Sequence, residues 1–187
     1  PHLAVTGQDR AEAARVWPDS THGLAILHPG ARDPGRRWPS EKFALVGDAL
    51  VRSGLRVVLT GMNEEQETTA RVAEAMREPC ANLCGRFSLG GLTALLAASR
   101  VVVANDTGPL HLAHAVGART VGLYWCFNLL TAAPLSRQRH APLVSWQLHC
   151  PVCGCDRSHA HCEHSASFIS AIPAEEVIAA AQGLLRA

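Results

Sequence analysis

Short apolar runs alternate along the chain with amphipathic stretches. The first, Gly23 to Leu27, ends at His28-Pro29-Gly30-Ala31. After it Phe43, Leu45, Val46, Ala49 and Leu50 recur at helical spacing, from a Pro39-Ser40-Glu41 start to a stop at Gly54. Leu55 to Leu59 is a second strand, which Thr60-Gly61-Met62-Asn63 turns into a polar helix beginning near Glu64. Leu83 belongs to a short third strand that ends at Gly85, and Ser88 caps a helix carrying Leu89, Leu92, Leu95 and Leu96. Val101 to Ala104 is a fourth strand, cut off at Asn105-Asp106. Thr107-Gly108-Pro109 then opens a helix bearing His111 and His114, Gly117 closes it, and Thr120 to Tyr124 is a fifth strand.

This alternation predicts an α/β fold, a doubly wound parallel sheet of Rossmann-like type. With strand order 3-2-1-4-5, strands one and four are neighbours, and the crevice between their carboxyl ends is the topological switch point where ligands bind. The loops His28 to Ala31 and Asn105 to Gly108 would face each other there. Residues 1–21 read as a connector, with a helical stretch about Ala11 to Val16 followed by Pro18-Asp19-Ser20. Residues 22–149 read as the Rossmann-like domain itself. Within it, 126–149 read as loop with short elements, carrying Pro134, Arg137, Arg139, His140 and Pro142. Residues 150–187 comprise a Cys/His-rich segment and a terminal amphipathic helix, Ile172 to Leu185 with Pro173 at its start, packing on the same domain.

Composition narrows the class. The chain has 187 residues, 48% hydrophobic and 18% charged, enough for a globular core. A net charge of +1 gives no global pull toward nucleic acid or a membrane surface. No apolar run reaches the ~18 to 20 residues of a membrane-spanning helix. The start, PHLAVTGQDR, lacks the pattern of a secretory signal and an initiator Met, so the chain reads as a piece of something longer. A cytoplasmic setting follows from these expectations, with at most peripheral contact with a membrane.

Asp106 sits where a strand gives way to a helix. It is either a helix N-cap or a ligand group. Gly108 permits close backbone approach, and Thr107 offers an N–H and a hydroxyl to a phosphate at a positive helix end. His111, one turn in, is either a ligand contact or a satisfied core histidine, whereas His114, deeper on the same side, reads as core. Arg32, Arg36 and Arg37 gather in the loop after the first strand, where the forked guanidinium suits phosphate; a solvated loop is the alternative. Glu64 and Glu65 follow the second strand, where a carboxylate accepts from ribose hydroxyls or serves the helix dipole.

Seven cysteines include Cys150, Cys153, Cys155 and Cys162, interspersed with His149, His159, His161 and His164. The composition is that of a structural zinc site, held by four cysteines or by three and a histidine. The single residue between Cys153 and Cys155 is tight for two ligands of one ion. Free thiols, disulfides and a redox role are the alternatives, and the cluster lies outside the switch-point loops.

Taken together, HPGA (28–31), RRWPSEKFA (36–44), VVLTG (57–61), SLGGLTALLAAS (88–99) and NDTGPLHLAHAVG (105–117) resemble glycosyltransferase family 9, the ADP-heptose:lipopolysaccharide heptosyltransferases. The similarity runs over residues 22–125. The resemblance implies the C-terminal, donor-binding half of an inverting GT-B enzyme. Its acceptor domain, with the catalytic base, would lie outside this chain and would take the lipopolysaccharide core. The donor implied is ADP-heptose or a similar ADP-sugar, and no cofactor is expected for the chemistry. By the same resemblance, catalytic Asp106 would contact the donor sugar. Thr107, Gly108 and His111 would meet the diphosphate, Glu65 the ribose, and Arg36 the phosphate charge, with His28 and Gly30 completing the donor set. Two departures stand out: Arg36 where the family carries Lys, and Trp125-Cys126-Phe127-Asn128 where it shows a G-P-T-like turn. A non-catalytic nucleotide-binding module and a zinc-organised interaction domain are the competing readings.

Overall fold

A computed structural model describes residues 3–18, 23–134, 136–160 and 162–186; Asp19, Ser20 and His161, which figure in the sequence reading, lie outside the described residues. In chain order the elements are α1 (Gly7–Val16), β1 (Leu24–His28), α2 (Ser40–Arg52), β2 (Arg56–Leu59), α3 (Gln66–Ala75), β3 (Cys80–Asn82) and α4 (Leu89–Ala98). They continue with β4 (Val101–Asn105), α5 (Gly108–Ala115), β5 (Thr120–Trp125), α6 (Cys126–Ala132), β6 (His140–Ser145) and α7 (Ala174–Arg186). Short 3-10 turns, Pro34–Arg36 and Asn63–Glu65, precede α2 and α3.

All strands are parallel, in the order β3-β2-β1-β4-β5-β6. The expected order 3-2-1-4-5 holds, and β6 extends it. The short elements expected within residues 126–149 are α6 and this strand, which the sequence did not name. His140 and Pro142 hide β6 in the sequence, but a strand paired on one side only tolerates a residue that donates no ladder bond. The third strand lies earlier than expected, at Cys80–Asn82, and Leu83 only prolongs its ladder, with its N–H donating to the Leu59 carbonyl (2.9 Å).

Side chains alternate across each strand, so a sheet covered on both faces needs unbroken apolar runs. Ala25, Leu27, Val57, Leu59, Val101 and Val103 face a layer built from α2 and α7. Leu24, Ile26, Val58, Val102 and Ala104 face Leu95 and Leu96 of α4 and Leu110 of α5. On the second face α1 docks on α4 through Ala13 and through Glu12, whose carboxylate accepts from the Ser88 N–H (2.7 Å) and hydroxyl (2.6 Å). Ser88 in turn caps α4 by accepting from the Gly91 N–H. On the first face the chain leaving the cysteine segment returns to α2: the carbonyl of Ile172 accepts from Trp38 Nε1 (3.1 Å) and Lys42 Nζ (2.9 Å). Among the described residues no helix is long and apolar enough to cross a membrane.

Candidate functional site

The ends of β1 and β4 lie side by side, His28 in register with Ala104. The next residue, Asn105, is fully buried and clasps both neighbouring loops. Its amide donates to the carbonyls of Pro29 (2.8 Å) and Gly30 (3.3 Å), and its oxygen accepts from the Trp38 N–H (3.2 Å). A buried polar side chain with every group occupied fixes geometry. Sequence reasoning noticed Asn105 only as the point where the strand breaks off.

Asp106 follows, 6% exposed. It is not the helix N-cap: Thr107 holds that position, and its hydroxyl donates to the Asn105 carbonyl (3.2 Å). Arg36 Nη1 stands 3.4 Å from Asp106 Oδ2, reaching across from the loop after β1. His111 Nε2 stands 3.2 Å from Oδ1, which is fully buried, so the carboxylate lies between an arginine and a histidine. Pro109 has no N–H, which leaves the amides of Thr107 and Gly108 as the donors at the mouth of α5. A Cβ on Gly108 would meet nothing within 4 Å, so the missing side chain opens space rather than relieving a clash.

Gly30 works differently. A Cβ there would fall on the Glu65 carboxylate, so this glycine admits Glu65 rather than a ligand. Glu65 Oε2 accepts from the Met62 N–H (2.8 Å), closing its turn, and lies 3.7 Å from His28 Nε2. The other ring nitrogen of His28 is 3.1 Å from the Thr60 hydroxyl, and burial pushes this histidine below its ordinary pKa, keeping it neutral.

Two cavities meet over the start of α5. One, of about 720 Å³, is lined by His28, Arg36, Glu65, Asp106, Thr107 and Gly108, with Arg32 and Arg37 at its edge. The other, of about 690 Å³, presents Met62, Phe87, Leu89, Leu92 and His111 and shares His28 and Gly108 with the first. The structure thus brings all the expected donor residues to these cavities except Gly30. His114 lies away from both. Its Nε2 is 3.0 Å from the Thr120 hydroxyl, which also contacts His140 (2.9 Å), and burial beside His140 and His111 lowers its pKa to about 4.

The cysteine segment requires a correction. The ligand atoms of Cys150, Cys153, Cys162 and His164 lie within 4.8 Å of one another, whereas Cys155 turns its sulfur toward the Asp156 carbonyl (3.9 Å). The converging set is therefore three cysteines and a histidine, the second of the two sets the sequence allows, and Cys155 alone drops out of the candidates. Gly154, between Cys153 and Cys155, lies in the left-handed region at φ +72°. All seven cysteines are free thiols.

The site thus combines a doubly wound parallel sheet, an arginine-lined cavity and an apolar one at a helix start, the place where open α/β sheets take up ligands. The comparisons with known proteins are narrower. The family model "Glycosyltransferase family 9 (heptosyltransferase)" matches residues 1–161, and the chain belongs to that family. It is 34% identical to lipopolysaccharide heptosyltransferase 2 of Escherichia coli over 144 residues, which cover 74% of this chain and 41% of that protein. With lipooligosaccharide heptosyltransferase 2 of Haemophilus influenzae the identity is 31% over 146 residues, covering 73% and 42%. A glycosyl transferase family 9 structure from Veillonella parvula superposes with a TM-score of 0.80 at 26% identity, covering 99% of this chain and 53% of that one. The E. coli ADP-heptose lps heptosyltransferase II shares the fold, with a TM-score of 0.79 at 24% identity, over 100% and 54% of the two chains. The chain therefore spans about half or less of the length of these relatives.

Proposed function

We propose that the chain is the donor-binding part of an inverting glycosyltransferase that moves heptose, or a related sugar, from an ADP-sugar to a lipopolysaccharide core acceptor. One observation carries the reading: at the switch point the Asp106 carboxylate lines the cavity between Arg36 Nη1, 3.4 Å from Oδ2, and His111 Nε2, 3.2 Å from Oδ1, beside the free end of α5. A sugar hydroxyl would donate to this carboxylate from the cavity that it lines. The diphosphate then lies over Gly108, where the Thr107 and Gly108 amides point. Glu65 Oε1 is left to accept from ribose hydroxyls, and the base enters the apolar cavity between Met62, Phe87 and Leu92.

Breaking the glycosidic bond leaves the electron pair on the diphosphate. The amides and Arg36 stabilise that growing charge with dipoles already in place. In this reading the group that takes the acceptor's proton belongs to an acceptor-binding domain beyond these residues, and the reaction sits at the inner face of the bacterial inner membrane. Structural zinc in the Cys/His group stands outside the chemistry.

ADP should raise the melting temperature, and Arg36→Ala should remove most of that shift. Asp106→Ala should abolish the preference for ADP-heptose over ADP. No shift with ADP or ADP-heptose at millimolar concentration would overturn the proposal.

A further inference from the structure

Away from both cavities, the Cys150, Cys153, Cys162 and His164 cluster is the one convergence of soft side chains among the described residues. Its backbone is built for the purpose. The Gly154 N–H donates to the Cys150 carbonyl and the Cys150 N–H to the Cys155 carbonyl (both 2.9 Å), closing a tight Cys-Pro-Val-Cys-Gly turn. An antiparallel bridge between His149 and Asp156 pins its base. Three thiolates and an imidazole suit a tetrahedral ion of the zinc type. A Zn–S bond of about 2.3 Å sets sulfur–sulfur edges of about 3.8 Å, so the group need draw in by only about 1 Å at its widest. Arg157 Nη1 lies 3.0 Å from Cys162 Sγ, the outer donor that a coordinated thiolate accepts from.

The same arginine leads to the donor cavity. Its guanidinium lies 4.3 Å over the Phe168 ring. Phe168 is buried, packs on Trp125, and donates its N–H to the Gly35 carbonyl (2.7 Å). Its ring occupies the space a Gly35 Cβ would take. Gly35 precedes Arg36, which reaches Asp106. Contacts thus run unbroken from Cys162 through Arg157, Phe168 and Gly35 to Arg36.

We propose that Cys150, Cys153, Cys162 and His164 bind one zinc ion, and that this ion holds the Arg36 wall of the donor cavity in place through Arg157 and Phe168. The second half rests on the donor-site reading above. Coupling of this kind is reciprocal, so ADP should also tighten zinc binding by the factor with which zinc tightens ADP binding.

The purified protein should contain about one zinc per chain by elemental analysis. Cys162→Ser and His164→Ala should lose it, and Cys155→Ser should keep it. In calorimetry, chelation should weaken ADP binding about tenfold, within the usual range of coupling between sites. Phe168→Ala should retain zinc yet bind ADP as weakly as the chelated protein, which keeps the test open if the metal-free form does not fold. Iron in place of zinc, no metal, or metal loss in Cys155→Ser overturns the site. Zinc-loaded Phe168→Ala with unchanged ADP affinity overturns the coupling. Zinc at full occupancy with no ADP binding in the parent protein defeats the donor reading and the coupling built on it, and leaves the metal site standing.

Discussion

Asp106 and Arg36 face each other across one cavity, but they are held by different means. Asp106 continues a central strand; its side chain is 5% exposed and its backbone N–H donates to the Leu123 carbonyl of β5 (3.1 Å). Arg36 ends the 3-10 turn Pro34–Arg36, 38% exposed, and meets Asp106 Oδ2 at 3.4 Å from outside the sheet. Its position comes from Asp33, which caps the turn by accepting from the Gly35 N–H, from Trp38 sunk in the core behind it, and from Phe168 below. One wall is as rigid as the sheet. The other is borrowed from side chains far away in sequence. On the proposed reading, one wall of the donor site is fixed by the sheet, and the other depends on contacts made elsewhere in the chain.

The largest blow to this contrast should come from Trp38→Ala. The indole is buried, meets Phe43 edge to face with centroids 5.1 Å apart, and anchors the loop wall to α7's approach through Ile172. Emptying that space should cost about 3–5 kcal/mol of stability, read in a urea melt. A loss below about 1 kcal/mol would show that the loop is not rooted in the core. Asn105→Ala should follow, at about 2–3 kcal/mol, because it strands the Pro29 and Gly30 carbonyls and the Trp38 amide together. It should also loosen both walls, so ADP affinity should fall with it. Stability lost with affinity intact would mean that Asn105 serves folding alone.

Arg36→Ala tests the borrowed wall more finely. A partly exposed arginine contributes little to stability, but a charge-assisted contact to phosphate is worth about ten- to a hundredfold in affinity. Calorimetry with ADP should show that loss while the melting temperature without ligand stays within a degree or two. Arg36→Lys should recover part of it, since charge survives and the fork does not. Equal affinity for all three proteins would remove Arg36 from the site.

The rigid wall was the more readable one. Val101 to Ala104 is an apolar run cut off by polar residues at a strand end, and sheet topology alone says where such ends gather. Arg36, Glu65 and His28 were legible from their places after strands one and two. What the sequence could not show lies in contacts through space. Nothing local marks Asn105 as a clasp, Gly30 as room for Glu65, or Phe168 as a prop under Gly35. β6 escaped because Pro142 and His140 are poor strand residues, permitted by its place at the edge. The tight Cys153-x-Cys155 spacing already weighs against both as ligands of one ion, and the converging cluster takes His164 rather than Cys155.

The smallest expected effect concerns the foot of the rigid wall, where α5 rests on β5 and β6 through His114, Thr120 and His140. Burial, then the neighbouring His140 and His111, lowers His114 to about 4, from an ordinary 6.5. Between these values the unfolded chain binds a proton that the folded one refuses. Stability from this group is therefore complete above pH 6.5, falls as pH drops toward 4, and changes no further below that. Half-exposure weakens the effect, so its sign rather than its size is the prediction. His114→Gln, with a side chain that does not titrate, should lose less melting temperature than the parent between pH 7.5 and pH 4.5 (~3 pH units spanning the transition). His140 is lowered too, by burial first and Arg139 second, so a residual slope should persist and shrink again in the double variant. If His114→Gln declines as steeply as the parent, the α5 foot carries no pH sensitivity. The contrast between a wall built on the sheet and one held by distant side chains would then hold at every pH in which the chain is folded.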